Sequence, residues 1–430
     1  MSRPRIAPAR QPSLREHNLA LVLREVADSR ELSRARIATA TGLTRATVST
    51  LADALVAAGL LRELGPDGAG GVGRPGSSLA LATGPVGIGL EINVDYLATC
   101  TVDLSGAVRR RELVAEDFRA TSPAAALSRA ADALRAAVDD ARTAGTEVAG
   151  ISVAVPGLVE APRGLLRLAP NLGWRDLAVL DELAERAGLA DLPMRLDNEA
   201  NLAALGELWC GGHRRADGSV LDSYVYIFGE VGIGAATVLN GVLFGGTRGF
   251  GGEIGHLSLD RNGLRCECGA RGCLEQYAGQ EAVLRRAGLA EQARTTSGRP
   301  TGPIQELLAL ARAGDPRAIE SIRSAGDALG LGASAMVNLV DVDTVVLGGL
   351  YALLAPWLLE PVEEQLQGRV LAAGWAPVTV LVAKLGADAA VRGAAMSVVQ
   401  GVIDDPAGWI GQRAQPAVAD RDPDPEPVPS

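Results

Sequence analysis

Apolar residues first recur with a clear period in residues 14–29, where Leu19, Val22, Leu23 and Val26 fall on one helical face. The following stretch, "LSRARIATATGLTRATVSTLADALVAAGLL", predicts two shorter helices. Ser33 is placed to cap one that runs to Ala40, and Thr44 to cap another that runs to Ala58. The glycine of "TGLT" supplies the left-handed residue that a tight turn between them needs. Val48, Leu51 and Leu55 form the inward stripe of the second helix. After Gly59, "LLRELGPDGAGGVGRPGSSLALA" reads as strand, glycine-rich tip, strand. The whole is a winged helix-turn-helix, an arrangement whose second helix enters the major groove of double-stranded DNA. Arg45, Ala46, Thr47, Ser49 and Thr50 lie off the apolar stripe near the start of that helix. Short polar side chains and one arginine there suit base edges and phosphates. Arg62 and Arg74, on the wing, are placed to meet phosphate or the minor groove.

Beyond residue 82 the pattern changes to alternating strand and helix signals. "VGIGLEINVDYLATCTVDLSGAVRRREL" predicts two or three strands with a turn at Leu104–Gly106. An alanine-rich helix follows at 123–144, and "VAGISVAVPGLVE" is a buried strand that ends in a Pro-Gly turn. Further helices fit 176–188, 199–210, 275–287, 316–338 and 388–403; strands fit 192–196, 224–228, 235–239, 344–347 and 378–382. The body is therefore α/β, in two lobes with a cleft between them. The Pro- and acid-rich end, residues 412–430, reads as a disordered tail.

Composition narrows the classes of partner. The chain has 430 residues and a net charge of −10, yet residues 1–82 hold eleven arginines against seven carboxylates. A basic head on an acidic body confines any nucleic-acid contact to the head. No run of eighteen apolar residues occurs and the first residues lack the apolar core of a signal peptide, which implies a cytoplasmic protein with no membrane partner. In a reducing compartment five cysteines point to metal rather than disulfides, and three of them sit in "RCECGARGCLE".

Six motifs stand in order along the body: "VAVPGLVE", "LDNEANLAALGE", "GEVGIGAATVLNGVLFGG", "GGEIGHLSLD", "CECGARGCLE" and "VDTVVLGGL". Together they resemble the ROK family of repressors and sugar kinases, which has the actin-like ATPase fold, over residues 85–403. The winged head resembles that of its repressor branch. The resemblance implies a winged helix-turn-helix over 1–82, a small lobe over 83–198 to which 388–411 returns, and a large lobe over 199–387. It implies a structural zinc on His256, Cys266, Cys268 and Cys273, spaced H-x9-C-x-C-x4-C. Three thiolates and an imidazole make a closed tetrahedral site with no position for a catalytic water, while an iron–sulfur cluster usually takes four thiolates. It also implies a sugar site at Asn198, Glu199, Glu253, His256 and Glu275, with Asn171 and Gly173 lining the cleft. Cys100 and Cys210 read as buried apolar thiols.

Two departures from the family's kinases bear on activity. Where those have a phosphate loop of the type Asp-x-Gly-Gly-Thr, this chain has Glu91, Asn93, Val94 and Asp95 in "LEINVDYL". A β-branched residue does not readily take glycine geometry, and a carboxylate repels polyphosphate. Glu199 replaces the Asp that serves as catalytic base, and Glu230–Val231 precede the retained Gly232 and Gly234. The expectation is a sugar-responsive regulator, most simply a repressor of carbohydrate genes, with no catalytic residues and no enzyme activity. It would bind operator DNA as a homodimer or higher oligomer, because a palindrome needs two heads. The alternative is an active ATP-dependent sugar kinase with a DNA-binding head, motivated by Gly232, Gly234, Gly348 and Gly349.

Overall fold

Ser33 and Thr44 both start helices in the computed structural model, which describes residues 11–65, 78–119, 121–215, 217–289 and 302–414. The first elements are α1 (Gln11–Ser29), β1 (Leu32–Ser33), α2 (Arg34–Thr41), α3 (Arg45–Ala57), β2 (Leu61–Glu63) and β3 (Ser78–Leu81). Ser33 Oγ accepts from the Arg36 amide at 3.4 Å, and Thr44 Oγ1 from the Thr47 amide at 3.1 Å. Each satisfies one of the amides that a helix start leaves open. Gly42 closes α2 at φ 71°. Leu19, Val22, Leu23 and Val26 of α1 meet Val48, Leu51 and Leu55 of α3 in the core. The three short strands form one antiparallel sheet in the order β1-β3-β2. The wing tip, residues 66–77 with Arg74, lies outside the described residues.

The body carries the same sheet twice. Its first part comprises β4 (Val86–Ile92), β5 (Tyr96–Asp103), β6 (Val108–Ala115), α4 (Pro123–Thr143), β7 (Val148–Val155), β8 (Leu158–Glu160), β9 (Leu165–Ala169), β10 (Trp174–Leu177), α5 (Val179–Ala187) and β11 (Met194–Asn198). The sheet runs β11-β7-β4-β5-β6: an antiparallel meander with two parallel strands added on one side. After α6 (Glu199–Cys210) the pattern repeats with β12 (Tyr224–Gly229), β13 (Ile233–Leu239) and β14 (Val242–Leu243). Then come α7 (Glu275–Ala278), α8 (Gln280–Ala287), α9 (Pro303–Arg312), α10 (Pro316–Val340), β15 (Thr344–Gly349), α11 (Leu350–Arg369), β16 (Thr379–Val382), α12 (Ala389–Asp404) and α13 (Pro406–Ala414). The second sheet runs β14-β13-β12-β15-β16, the same meander-plus-two order.

Three differences from the sequence reading have local causes. The helix expected over 275–287 breaks at Gly279, which takes extended angles (φ −63°, ψ 157°) and lies against the Glu275 carbonyl. Helix α11 was not foreseen, because Pro356 and Pro361 lie inside it. Helix α13 occupies 406–414 and packs on α1, so it covers the first positions of the expected tail; residues 415–430 lie outside the described residues. The chain divides into two compact units, Met1–Pro85 with Gln400–Ser430, and Val86–Val399. The segment 388–411, expected to return to the small lobe, is thus shared between them. Strand β11 ends at Asn198 and α6 begins at Glu199, inside the second unit.

Within the body, α6 and α12 cross at bare backbone. A Cβ on Gly393 would collide with the Leu202 carbonyl, and one on Gly206 with the Ala389 carbonyl. Gly87 and Gly89 of β4 receive α12 in the same way, against the carbonyls of Ala395 and Val391. Gly393→Ala is therefore expected to cost about 1–3 kcal/mol through overpacking. Gly374→Ala, where an added Cβ meets open space, is the control. Thermal melts that shift equally for the two variants would contradict the close crossing.

Candidate functional site

The cysteine-rich segment folds back on itself and on the turn that carries His256. Single bridges join Ser258 to Cys273 and Arg265 to Arg271, and the Leu274 amide donates to the Leu257 carbonyl at 2.9 Å. Gly269 and Gly272 make the turns at φ 95° and 68°. This places Cys266 Sγ 3.8 Å from His256 Nδ1 and Cys268 Sγ 3.7 Å from Cys273 Sγ. Ligand atoms of all four residues lie within 4.8 Å of one another. A tetrahedron with metal–sulfur bonds of about 2.3 Å has edges of about 3.8 Å, so the donor set fits a zinc-sized ion. His256 turns Nδ1 to the thiols, which leaves Nε2 for the cavity that His256 also lines.

That cavity, of about 80 Å³, brings together Asn198, Glu199, Glu253, His256 and Glu275, with Asn171 and Gly157. Gly173, expected beside them, is not in its wall; it sits in the turn before β10 at φ 68°. Asn198 caps α6: its Oδ1 accepts from the Ala200 and Asn201 amides at 2.8 and 3.3 Å, and its Nδ2 donates to the Gly157 carbonyl at 2.9 Å. Its oxygen is thus engaged within the protein, and the amide nitrogen keeps one hydrogen for a ligand. Glu275 Oε2 accepts from the Ile233 amide at 3.3 Å. Gly232 permits this approach, since a Cβ there would stand 2.6 Å from Glu275 Oε2 and 3.2 Å from the Asn171 amide. Carboxylates, amides and an imidazole nitrogen around a small polar cavity suit the hydroxyls of a polyol.

The hairpin between β4 and β5 holds the positions compared with a phosphate loop. Neither Asn93 nor Val94 has positive φ. The Asn93 amide donates to the Tyr96 carbonyl at 3.0 Å, and the Val94 amide donates to the side-chain oxygen of Asn93 at 2.6 Å. Both N–H groups are engaged inside the turn. The Asn93 side-chain nitrogen faces Glu230 at 2.5 Å, Glu199 at 3.2 Å and Glu91 at 3.4 Å, and Tyr96 donates its hydroxyl to Glu91 at 2.6 Å. Glu91, Glu199 and Glu230 converge within 4.8 Å of one another, with Asp95 contributing to their repulsion. Burial, then repulsion from neighbouring carboxylates (Asp388 for Glu91; Glu91 and Asp95 for Glu199 and Glu230), weakens them as acids: the pKa of Glu91 is pushed up to about 7 and that of Glu199 to about 8, with that of Glu230 raised as well. Sequence reading singled out Glu91, Asn93, Glu199 and Glu230 separately. Tyr96 and Gly157 were missed, and only the fold brings them to the cleft.

In the head, Arg45, Ala46 and Thr50 are exposed at the start of α3, and Thr47 and Ser49 are half-buried. Thr47 also bonds Thr44 through its hydroxyl at 2.8 Å, and Thr50 donates to the Ala46 carbonyl at 3.1 Å. Arg62 is exposed, and its Nε donates to the Leu81 carbonyl at 3.3 Å.

Residues 87–400 match the ROK family. The chain belongs to that family. Residues 20–70 match the MarR family, so a winged helix-turn-helix precedes the actin-like ROK fold. The xylose repressor of Bacillus subtilis (strain 168) is 26% identical over 399 residues, covering 92% of this chain and 98% of the relative. A solved ROK family transcriptional regulator, a homologue of the E. coli MLC protein, has a TM-score of 0.75 at 23% identity, covering 93% of this chain and 98% of that one. The ROK glucokinase from Streptomyces griseus, solved with glucose and AMPPNP, has a TM-score of 0.61 at 29% identity and covers 74% of this chain and 100% of that one.

The carboxylate cluster makes stability depend on pH in a defined direction. In the folded protein Glu91 and Glu199 titrate near 7 and 8, against 4.5 for a free glutamate. Above the unfolded value the folded state holds protons that the unfolded chain has released, so stability falls as pH rises to about 8. The groups facing the cluster are Asp95, Tyr96, Glu253 and Asp388, none of them cationic. Melting temperature is expected to drop between pH 5.5 and 8.5, and to drop less in Glu91→Gln. An unchanged slope in the variant would show that Glu91 is ionised throughout.

Proposed function

We propose that the chain is a sugar-responsive DNA-binding repressor of carbohydrate uptake or catabolism genes, whose kinase-like body senses a sugar without phosphorylating it. The observation that carries this reading is the Asn93 turn. The amides that would cradle phosphates are satisfied within the hairpin, and three glutamates converge beside them. A polyphosphate entering there would meet crowded carboxyl groups instead of free backbone N–H donors. The relative named a xylose repressor, matched over head and body alike, supports the same reading. The winged head would bind operator DNA in the cytoplasm through Arg45, Thr47, Ser49, Thr50 and Arg74, as a homodimer or higher. Among the described residues no helix is long and apolar enough to cross a membrane.

The zinc reading belongs here too. His256, Cys266, Cys268 and Cys273 would hold one structural ion that ties the His256 turn to the start of α7. His256 and Glu275 both line the sugar cavity, so the ion would hold two sugar contacts in register.

A second reading, an ATP-dependent sugar kinase, is favoured by the glycines at 232, 234, 348 and 349 and by the glucokinase likeness. The Tyr226 hydroxyl, however, lies where a Cβ on Gly348 would stand. An ADP-release assay over a panel of hexoses separates the readings, and robust turnover would overturn the first.

Electrophoretic shifts on DNA around the chain's own gene are expected to show specific binding that a cognate sugar relieves. Arg45→Ala is expected to weaken that binding by about 1–3 kcal/mol if it reads a base. Unchanged affinity would mean that α3 meets DNA in another register. Elemental analysis is expected to find one zinc per chain. Cys268→Ser should lose the zinc and weaken sugar binding by about 10–100-fold, with operator binding kept. Full sugar affinity without zinc would make the cluster a remote structural knuckle.

A further inference from the structure

Leu339, Leu371 and Trp375 are 82, 88 and 87% exposed, more than any other large apolar side chain among the described residues. All three lie in the unit Val86–Val399, and hydrogen bonds bring their segments together. Leu339 is in the last turn of α10. Its neighbour Asn338 ties that turn to the end of α11: Nδ2 donates to the Arg369 carbonyl at 3.1 Å, and Oδ1 accepts from the Leu371 amide at 2.9 Å. The chain then closes a turn in which the Trp375 and Ala376 amides both donate to the Ala372 carbonyl, at 2.9 and 2.8 Å. The indole is therefore presented on hydrogen-bonded backbone. Trp375 is the one exposed tryptophan of the chain's five.

Beside Trp375 lies a groove of about 740 Å³. Val337, Val342 and Val370 line it and are buried; Asp341 and Asp343 are exposed at its edge, with Arg215 half-buried 3.6 Å from Asp343. Space of this size takes a drug-sized molecule, so it admits an indole. A projecting aromatic ring and a recess for one thus stand on the same face. An isologous contact uses that pairing, because in a two-fold pair each copy offers both parts to the other. Charge points to the same occupant. The chain carries −10, so carboxylate-rich surface repels a second copy. The edge of this groove carries both signs, so Arg215 of one copy can face Asp341 of the other. Trp375 offers about 200 Å² of contact area, and Leu339 and Leu371 about 100 Å² each at the transfer energies usual for leucine. Together they make up about half of the roughly 800 Å² that each partner gives to a standard interface. That suffices for its apolar centre, with the groove's edge as the polar rim.

We propose that this face is where two copies of the chain meet about a two-fold axis, with Trp375 of each seated in the groove of the other. The inference deepens the reading above, which needs two heads on one palindrome, by naming the surface that joins them.

Analytical ultracentrifugation of the full-length protein tests this. The parent is expected to be a dimer at micromolar concentration. Trp375→Ser should weaken dimerisation by about thirtyfold or more, as loss of an interface hot spot does, and Leu371→Ser by about tenfold. Trp375→Phe should keep most of it. Val242→Ser, on the opposite edge strand of the second sheet and 67% exposed in the parent, should leave it unchanged. Fluorescence gives a readout that does not depend on whether the serine variants fold. The emission of Trp375, taken as the difference between parent and Trp375→Phe, should move from that of a solvated indole to that of a shielded one as concentration rises through dimerisation. A parent that stays monomeric overturns the inference, and a monomer with Trp375 already shielded assigns the groove to a segment of the same chain. A dimer unaffected by both serine substitutions, or one in which the emission of Trp375 does not move, overturns it too by placing the contact elsewhere. If the dimer behaves as expected but DNA around the chain's own gene is not bound, the repressor reading falls and the dimer face stands.

Discussion

Helix α12 lies nearer its neighbours than side chains would permit, and the floor of the cleft depends on that approach. Gly87 and Gly89 lie two residues apart on β4 and so face the same side of the sheet, presenting backbone to α12. Gly206 and Gly393 do the same where α6 and α12 cross. Alanines fill the rest of the seam: Ala200, Ala203, Ala204, Ala389, Ala390 and Ala394 are all buried in it. With both helices drawn in, α6 begins at the end of β11, where Asn198 caps it and ties it to Gly157. Glu199 is the first residue of that helix, so the cap and the crossing together fix where its carboxylate reaches the cleft.

What could be read from the sequence was what is local. Caps at Ser33 and Thr44, the stripe Val48–Leu51–Leu55 and the left-handed Gly42 each act within a few residues, and each is found where the pattern put it. The clustering of the cysteines was legible for the same reason: three within eight positions constrain one another whatever the fold. The five residues assigned to the sugar pocket do share one cavity, but this came by way of family resemblance and not from any period in the chain. Contacts set by the tertiary fold stayed hidden. Asn93 meets Glu199 and Glu230 across 106 and 137 residues, and no window of sequence announces that.

The hairpin at Asn93 keeps its backbone amides engaged within the turn. A loop that binds phosphate keeps its N–H groups unpaired and directed outward. Here the Asn93 side chain takes the Val94 amide for itself and spends its own two N–H hydrogens on the surrounding carboxylates. One amide and one phenol supply three hydrogens for three carboxyl groups, and no cation is among the groups that shift them. Ionising all three would bury uncompensated charge, so the cluster keeps protons instead, which is what the raised pKa values of Glu91, Glu199 and Glu230 express.

On the sugar-sensing reading proposed above, the sugar is the ligand that bridges the two halves of the body. Asn171 and Asn198 line the cavity from the first sheet and its connections; Glu253, His256 and Glu275 line it from the second and its connections. A ligand shifts a two-state equilibrium only by the difference in its affinity for the two states. Moving a population from 1:99 to 99:1 takes about 5.5 kcal/mol. Neutral hydrogen bonds contribute about 0.5–1.5 kcal/mol each and bonds to charged groups about 1.5–3. Contacts from one side alone bind both states alike and shift nothing. The bridging contacts have to supply the difference, and three of the five cavity residues, Glu253, His256 and Glu275, come from the segments joined at the cysteine cluster. A flexible His256 or Glu275 would follow the sugar without moving its lobe and dissipate the difference. A zinc held there, as proposed above, would fix both and let the same hydrogen bonds act on the lobe as a whole.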